Sequence, residues 1–345
     1  MISFINLNNY KSDSILQDLK IKNLALKNEP EISIIIYCNK FQYLTKTIKS
    51  ILNQRYNNKE IIIIYDNNDS ENLLLIKNYV KDLKFITLID NKIIKGLLYS
   101  ISIGIMNSKG KYILLLQPGY IFFNNNILEE IKYRIINKNI DIIEFNLLIN
   151  ENENINYGNL YIYKCSHIKS NINTDSIKYN KLIKEIDQDK EILFNKLIKA
   201  DLLKDVINEC KFINYKDVIY NYYDNIILFS LNKKNFSFEY INITGIIKNN
   251  KQINKLKLTK IMKDQNQIKK DSIFYINFLY DKTDETYEGK KYALNEFYNL
   301  LSVIYNKFII ISKESIKLFQ KFNNSKLITI SDKNDLNFYY NSLIN

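Results

Sequence analysis

The sequence predicts an α/β protein whose mostly parallel sheet is flanked by helices. Continuous apolar runs, typical of strands buried on both faces, lie within 31–37, 59–69 and 111–116. Segments with apolar residues at helical spacing follow such runs, as in 41–54 and 70–82. Repeated strand–helix units of this length imply parallel strands covered by helices, with ligands bound at the edge where the strands end.

The alternation of strands and helices extends through residue 149. Further strands are predicted at 85–90 and 141–149, and further helices at 12–28, 97–109 and 125–138. Ser70 is well placed to cap the amino end of the helix at 70–82, because Ser side chains accept hydrogen bonds from free helical amides. These elements form the first half of the predicted sheet domain.

The second half of the chain is more irregular. Helices are predicted at 189–208 and across most of 212–232, and a strand at 236–243. The stretch 248–271 is rich in Lys, Asn and Gln, which is typical of a linker or an exposed helix. The predicted organisation is an N-terminal helical extension (1–29), two halves of a sheet domain (30–150 and 151–247), a linker (248–271) and a small α/β extension (272–345).

The net charge of +12 does not by itself indicate a nucleic-acid partner. Arg55 and Arg134 are the only arginines, and arginine is the preferred residue for bidentate contacts to phosphates and bases. Lys and Asn are abundant throughout, so we interpret the charge as a compositional bias. No nucleic-acid partner is expected.

Cysteine and histidine content excludes several kinds of site. Cys38, Cys165 and Cys210 are widely spaced, which argues against a disulfide framework and fits a reducing compartment. His167 is the single histidine, which argues against Ser-His-Asp and Cys-His nucleophiles and against His-rich zinc sites. The sequence contains no signal-peptide core and no apolar run of membrane-spanning length. We expect a cytoplasmic protein whose contact with a membrane, if any, is peripheral.

Four stretches together resemble the family-2 glycosyltransferases, whose nucleotide-sugar-binding fold is called GT-A. They are ISIIIY with YLTKTIKSILNQRYNNKEIIIIYDNNDSE, KGLLYSISIGIMNSKGKYILLLQPGYIF, NKNIDIIEFN, and FNKLIKADLL with FINYKDVIYNYY. The resemblance covers roughly residues 31–245. It implies a GT-A-like, Rossmann-type sheet, a nucleotide-sugar donor of the UDP type, and a glycan, lipid or protein acceptor of unknown identity.

The resemblance also implies a role for Asp66. Family members end their second strand with acids, one of which accepts a hydrogen bond from the nucleotide base. Here that strand ends in Tyr65-Asp66, and the Asp66 carboxylate could accept the imide N–H of uracil. The alternative is that Asp66 starts a turn into the following helix.

The expected metal-binding motif of the family is degenerate in this chain. Family members end their fourth strand with aspartates that bind Mn²⁺ or Mg²⁺, and these cations prefer carboxylate oxygens. Here the strand runs into Gln117-Pro118-Gly119-Tyr120, and the next acid is Glu129. We therefore expect a donor site that includes Gln117 and Gly119 and holds no metal at this strand end.

Two lysines are candidates to replace the charge of the metal. Lys92 and Lys95 precede Gly96, on the loop that leads into the third helix of the sheet domain. A lysine about 4 Å from a phosphate would return about 4 kcal/mol at an effective dielectric constant near 20, before its own desolvation. The alternative is that both lysines are simply solvated. Ile101 stands where many relatives carry an arginine that faces the phosphates.

Asp217 lies where family members place the carboxylate that removes a proton from the acceptor hydroxyl. Inverting transfer needs one such base within hydrogen-bond reach of the nucleophile. The alternative is a favourable position at the amino end of a helix at 217–231. The sequence thus predicts an inverting glycosyltransferase with Asp217 as base; the alternative is a catalytically inactive GT-A protein that serves as a binding or assembly partner.

Overall fold

The computed structural model describes residues 30–150, 160–163, 193–214, 218–232 and 234–249, together with six single positions between 267 and 278. The described strands lie in one nine-stranded sheet with helices against it. This arrangement confirms the predicted α/β class. None of the helices in this part of the chain has the length and apolarity needed to cross a membrane.

The first half of the sheet is parallel. Its strands are β1 (Ile32–Cys38), β2 (Lys59–Tyr65), β3 (Ile86–Asp90) and β4 (Tyr112–Leu116), in the spatial order β3-β2-β1-β4. The connecting helices are α1 (Leu44–Leu52), α2 (Ser70–Val80) and α3 (Leu97–Asn107). Every residue of β1 and β4 is buried, because both faces of these central strands are covered.

The second half of the sheet mixes directions. It comprises β5 (Tyr120–Phe122), α4 (Ile127–Lys138), β6 (Ile142–Asn150), β7 (Leu160–Tyr163), β8 (Lys196–Lys199), α5 (Ala200–Cys210), a 3₁₀ turn (Phe212–Asn214), α6 (Tyr223–Asn232) and β9 (Phe238–Asn249). The spatial order continues as β4-β8-β6-β9-β5, with β7 beside β6. Strand β8 is antiparallel to both β4 and β6, whereas β9 is parallel to β6 and antiparallel to β5.

Three sequence predictions in these elements are wrong in detail. The predicted helix at 189–208 begins only at Ala200, because Lys196–Lys199 is a strand hydrogen-bonded to neighbours on both sides. Within the predicted helix across 212–232, the described residues form the 3₁₀ turn and α6, and 218–222 between them are not helical. Ser70 is the first residue of α2 rather than its cap, since the side chain of Asp69 accepts the hydrogen bond from the Asn72 amide.

Several predictions fall outside the described residues. These are the N-terminal helix at 12–28, the positions of Cys165 and His167, and most of the α/β extension at 272–345. The domain boundaries therefore stay a prediction.

Helix α3 packs closely on the parallel strands at Gly104. A β-carbon at this position would lie 2.5 Å from Cγ2 of Ile35 in β1 and 2.7 Å from Cδ1 of Ile64 in β2. These distances are shorter than any ordinary contact between carbon atoms. The close approach of α3 sets the height of the helix above the sheet and hence the position of the loop that precedes it.

We expect Gly104→Ala to lower the free energy of unfolding by about 1–2 kcal/mol, because overpacking outweighs the helix propensity of alanine. Urea denaturation measures the difference. Asn107→Ala, at an exposed position of the same helix, is the control and should change stability by only about 0.5 kcal/mol. A Gly104→Ala variant as stable as the wild type would mean that α3 can move away from the sheet at little cost.

Candidate functional site

Polar residues follow the carboxyl ends of the four parallel strands, which meet at one edge of the sheet. They are Asn39 after β1, Asp66 after β2, Asn91 after β3 and Gln117 after β4. Asn39, Asp66 and Gln117 are buried although their side chains are polar. Buried polar groups need hydrogen-bond partners, so the contacts of these residues indicate what the edge does.

Asp66 joins β2 to the loop between β3 and α3. Its Oδ1 atom accepts hydrogen bonds from the Asn91 side chain (3.0 Å) and the Lys95 amide (2.7 Å). Its Oδ2 atom accepts from the Gly96 amide (2.9 Å) and the Tyr37 hydroxyl (3.3 Å). Four donors fill the roughly four acceptor positions of a carboxylate. The carboxylate therefore fixes a loop that has no regular structure of its own.

Burial raises the pKa of Asp66 above its ordinary value, and its four hydrogen bonds act in the opposite direction. The predicted alternative, a local turn started by Asp66, does not match these contacts. The local side-chain contact here is made by Asn67, whose oxygen accepts from the adjacent Asn68 amide at 2.8 Å. The role of Asp66 as a partner of the nucleotide base stays a prediction.

Gly96 brings this loop against a segment from the second half of the chain. Its φ angle is 87°, and a β-carbon there would lie 2.7 Å from the Ile219 nitrogen. The Ile219 carbonyl oxygen accepts from the Leu97 amide (2.7 Å) and the Leu98 amide (3.1 Å). Sequence reasoning missed Ile219, because no local pattern links it to a residue more than 120 positions earlier. Only glycine fits this contact without strain.

Gln117 to Tyr120 form a tight turn with no charged side chain. The Tyr120 amide donates to the Gln117 carbonyl oxygen at 3.0 Å, with Pro118 and Gly119 at the two central positions. Gly119 has a φ angle of 97°, as the third residue of a type II turn requires. The Gly119 amide also donates to Oγ1 of Thr47 in α1 at 2.9 Å. The turn is thus fixed both internally and against α1.

Two buried donors at this turn have no partner among the residues that the structure describes. They are Nε2 of Gln117, whose residue is 2% exposed, and the hydroxyl of Tyr120, whose residue is 0% exposed. An unpaired buried donor costs about 1–3 kcal/mol. Such groups often mark the place where a ligand supplies the missing acceptor.

The two candidate lysines differ in their contacts. Lys92 is 77% exposed at its side chain and forms an ion pair with Asp90 at 2.7 Å. Lys95 is half-buried, and its ammonium nitrogen lies 5.5 Å from the centre of the Tyr99 ring. Ile101 is buried in the core, so α3 presents no charge at that position. Of the two lysines, Lys95 lies in the segment that Asp66 holds at the strand ends.

The side chains at this edge differ from those that divalent cations prefer. Both oxygens of Asp66 accept hydrogen bonds within the protein, and Asp90 is paired with Lys92. Within the described ranges, no three His, Cys, Asp or Glu side chains lie together as a metal site would require. The neutral amide of Gln117 is a poor ligand for Mg²⁺ or Mn²⁺ compared with a carboxylate.

The candidate base Asp217 lies outside the described residues. The helix predicted at 217–231 begins only at Tyr223, as α6. Val218 and Ile219, which follow Asp217 in the chain, lie beside Gly96: Cγ1 of Val218 is 3.1 Å from the position that a β-carbon of Gly96 would take. The chain directly after Asp217 therefore reaches the donor-side loop.

A cleft of about 470 Å³ lies at the opposite edge of the sheet, near the amino ends of β1, β2 and β4. It is lined by Glu31, Lys109, Lys111, Asp201 and Lys204, among others. The Lys204 ammonium donates to the Ser108 carbonyl oxygen at 2.8 Å. Charges of both signs line this cleft. Because it is far from the carboxyl ends of the strands, substitutions here are suitable controls for substitutions at those ends.

Comparison with known protein families decides what kind of domain these strands form. Residues 33–118 match the family model described as glycosyl transferase family 2. Over this region the chain is therefore similar to family-2 glycosyltransferases. The matched region runs from within β1 to the turn that begins at Gln117.

Two relatives align with part of the chain. An uncharacterized glycosyltransferase of Haemophilus influenzae is 38% identical over 88 residues, which are 25% of this chain and 27% of the relative. An uncharacterized glycosyltransferase of Rickettsia bellii is 29% identical over 131 residues, which are 38% of this chain and 19% of the relative. The aligned segments thus span about a quarter or less of these relatives.

Solved structures extend the similarity of fold beyond the matched domain. The crystal structure of S. aureus TarS 1–349 has a TM-score of 0.56 and 12% identity, over 85% of this chain and 80% of that chain. The same protein in complex with UDP-GlcNAc has a TM-score of 0.54 and 11% identity, with the same coverage. At this identity the similarity concerns the fold, and it confirms the predicted GT-A-like architecture.

We expect Asp66→Ala to lower the free energy of unfolding at neutral pH by about 2–4 kcal/mol, because it leaves four donors unpaired. Urea denaturation measures the loss. Asp90→Ala, at the end of the neighbouring strand, removes an ion pair with the exposed Lys92 and a bond from the Lys92 amide, and should cost about 1 kcal/mol. Equal losses in the two variants would contradict the central role of Asp66.

The stability advantage of the wild type over Asp66→Ala should also depend on pH. Because the pKa of Asp66 is raised in the folded protein, protonation stabilises the folded state relative to the unfolded one. The difference in unfolding free energy between the wild type and Asp66→Ala should be greatest at pH values below the ordinary carboxyl pKa. It should decline as the pH rises through the raised pKa that Asp66 has in the folded protein. An advantage that increases over this window would contradict the raised pKa.

Proposed function

We propose that this protein binds a nucleotide sugar at the carboxyl edge of β1, β2 and β4 and transfers the sugar to an acceptor. The observation that carries the proposal is a pair of buried donors, on Gln117 and Tyr120, that lack a partner among the described residues and lie just after the last strand of the region similar to family 2. A donor diphosphate offers oxygen acceptors of the kind that these groups lack. The similarity of fold to TarS, which has been solved with UDP-GlcNAc, supports a uridine nucleotide as the first ligand to test.

The proposed site binds the diphosphate without a metal ion at the end of β4. Hydrogen bonds to charged acceptors contribute about 1.5–3 kcal/mol each, so two such bonds are comparable with the contribution of one cation at a phosphate. Lys95 would add positive charge from the loop that Asp66 holds. The absence of carboxylates from the turn at Gln117 to Tyr120 supports this arrangement, since it avoids repulsion between the turn and the diphosphate.

In the proposed transfer, Asp217 accepts the proton of the acceptor hydroxyl. The acceptor oxygen forms a bond to C1 of the sugar from one side, while the bond between C1 and the diphosphate oxygen breaks on the other. The nucleoside diphosphate leaves with the bonding electrons, and the configuration at C1 is inverted. The position of Val218 beside Gly96 supports this role, because the chain next to Asp217 reaches the donor-side loop.

The second candidate function is that of a catalytically inactive GT-A protein that binds a partner. It is favoured by the neutral turn after β4, where family members are expected to carry aspartates. The two candidates differ in one measurable respect, since an inactive protein need not bind or turn over a nucleotide sugar.

We expect UDP to raise the melting temperature of the full chain to the same extent with EDTA and with Mn²⁺, because no bound ion takes part in binding. Differential scanning fluorimetry measures the shift, with ADP as the control nucleotide. No shift with UDP under either condition would favour the inactive protein. A shift that requires Mn²⁺ would contradict the metal-free site.

Gln117→Leu should separate binding from stability. Leucine is close to glutamine in size and removes the unpaired donor, so the melting temperature should stay the same or rise. The dissociation constant for UDP should rise by about tenfold, equivalent to about 1.4 kcal/mol, because a bond to the diphosphate is lost. Isothermal titration calorimetry measures the affinity.

Lys204→Ala is the matched control for Gln117→Leu, since it removes a hydrogen-bonding side chain at the opposite edge of the sheet. Its affinity for UDP should equal that of the wild type. An unchanged UDP affinity in Gln117→Leu, or an equal loss in both variants, would contradict the proposed placement of the diphosphate.

A further inference from the structure

Six described positions near residue 270 form one face of a helical segment. They are Gln267, Lys270, Asp271, Phe274, Tyr275 and Phe278, all with helical backbone. Their spacing of three and four residues places them on the same side of a helix. This face, which we call the 267–278 face, packs against the second half of the sheet domain.

Asp271 makes the central polar contact of the 267–278 face. Its residue is 0% exposed, and its Oδ2 atom accepts from the Tyr220 amide (3.1 Å), the Asn221 amide (2.8 Å) and the Asn221 side chain (2.8 Å). Its Oδ1 atom accepts from the Gln267 side chain at 2.7 Å. One carboxylate thus pairs with two successive backbone amides of a stretch that is neither helix nor regular strand.

Neighbouring residues of the same face hold the rest of this stretch, residues 218–222. The side-chain amide of Gln267 donates to the Val218 carbonyl oxygen at 2.6 Å. The ring of Tyr275 stacks on the ring of Tyr222 with their centres 5.3 Å apart and their planes within 7° of parallel. Tyr222 has a φ angle of 61°, a conformation that a bulky residue adopts only when its surroundings impose it.

The opposite side of residues 218–222 contacts the donor-side loop. The Ile219 carbonyl oxygen accepts from the Leu97 and Leu98 amides, and Gly96 leaves room for the Ile219 backbone. The amide of Gly96 in turn donates to Asp66. Asp66 and Asp271 are therefore connected through hydrogen bonds and short backbone segments: Asp66 binds the Gly96 amide, the next amides bind the Ile219 carbonyl oxygen, and the amides after Ile219 bind Asp271.

Burying a carboxylate costs desolvation free energy, which an apolar side chain at the same place would not. Burial raises the pKa of Asp271, although its four hydrogen bonds oppose the shift. An apolar residue of similar size would avoid that cost but would leave the Tyr220 and Asn221 amides unpaired. The contacts of Asp271 are therefore better explained by the placement of the backbone at 218–222 than by the packing of a core.

We infer that Asp271 is a positioning residue for sugar transfer, which holds residues 218–222, and with them the chain directly after Asp217, against the donor-side loop at Gly96. The inference rests on the proposed function for its catalytic meaning, whereas its structural part can be tested independently. It assigns a function to a part of the chain that lies about 150 residues beyond the matched family domain.

Hydrogen exchange on the full chain tests the structural part. We expect Asp271→Ala to increase exchange of the Tyr220 and Asn221 amides by about tenfold or more, while peptides from β1 and β4 keep their wild-type protection. Asp271→Asn should give an intermediate rate, because its amide oxygen can still accept from the backbone. Asp201→Asn, at an exposed position of α5, should match the wild type.

Two outcomes of this experiment would overturn the inference. Unchanged exchange at Tyr220 and Asn221 in Asp271→Ala would mean that the carboxylate does not hold the segment. Increased exchange throughout the sheet would mean that Asp271 supports general stability. Gln267→Ala keeps the carboxylate and its bonds to the Tyr220 and Asn221 amides, but removes the bonds from Gln267 to Val218 and to Oδ1 of Asp271. It should increase exchange at 218–222 less than Asp271→Ala does, and it provides a second variant if Asp271→Ala does not fold.

The catalytic part is tested by release of UDP from a panel of UDP-hexoses and UDP-N-acetylhexosamines, with water as the acceptor. We expect kcat to fall by about tenfold or more in Asp271→Ala and to recover partly in Asp271→Asn, with KM and UDP affinity unchanged. A kcat equal to that of the wild type, despite faster exchange at 218–222, would overturn the positioning role.

The failure of the proposed function has a different signature. A wild type that neither binds UDP nor releases it from any sugar contradicts the proposed function, while the exchange data still decide whether Asp271 holds residues 218–222. A wild type that binds UDP but releases none favours the inactive protein and overturns the catalytic meaning of Asp271.

Discussion

The buried carboxylate of Asp66 is the constraint on which the arrangement of the site depends. It accepts hydrogen bonds from a side chain of β1, from Asn91 after β3 and from two successive amides before α3. These donors belong to two separate parts of the chain, β1 and the loop between β3 and α3, and all four lose this acceptor when the carboxylate is removed. The loop that carries Lys95 has little regular structure, so its conformation follows from this one side chain. The desolvation of a charge is the energetic cost of that arrangement.

In the proposed site, stability and ligand binding place opposite demands on the turn after β4. The backbone amides of Gly119 and Tyr120 are both hydrogen-bonded, to Thr47 in α1 and to the Gln117 carbonyl oxygen inside the turn. The side chains of Gln117 and Tyr120 nevertheless carry buried donors that find no acceptor within the described part of the chain. A rigid backbone that presents unsatisfied donors is suited to recognition of an anion, because little conformational entropy is lost when the ligand binds.

Sequence reasoning succeeded where the signal is local. The continuous apolar runs of β1, β2 and β4 and the Pro-Gly turn could be recognised from a few neighbouring residues. It failed at β8, because KLIK lies within a stretch of helical periodicity and becomes a strand only through pairing with β4 and β6. The contact of Asp271 with Tyr220 was also beyond its reach, since nothing in either segment specifies a partner 51 positions away.

The placement of β5 has a consequence for the order in which the protein folds. This strand follows β4 directly after the turn at Gln117, yet it pairs with β9, more than 120 residues later in the chain. In the sheet, β4 and β5 are separated by β8, β6 and β9, although in the chain only the short turn at Gln117 lies between them. During synthesis on the ribosome, β5 has no strand to pair with until β9 has emerged. Non-local pairing of this kind is slow, so the turn at Gln117 to Tyr120 should be among the last parts of the sheet to reach its native structure.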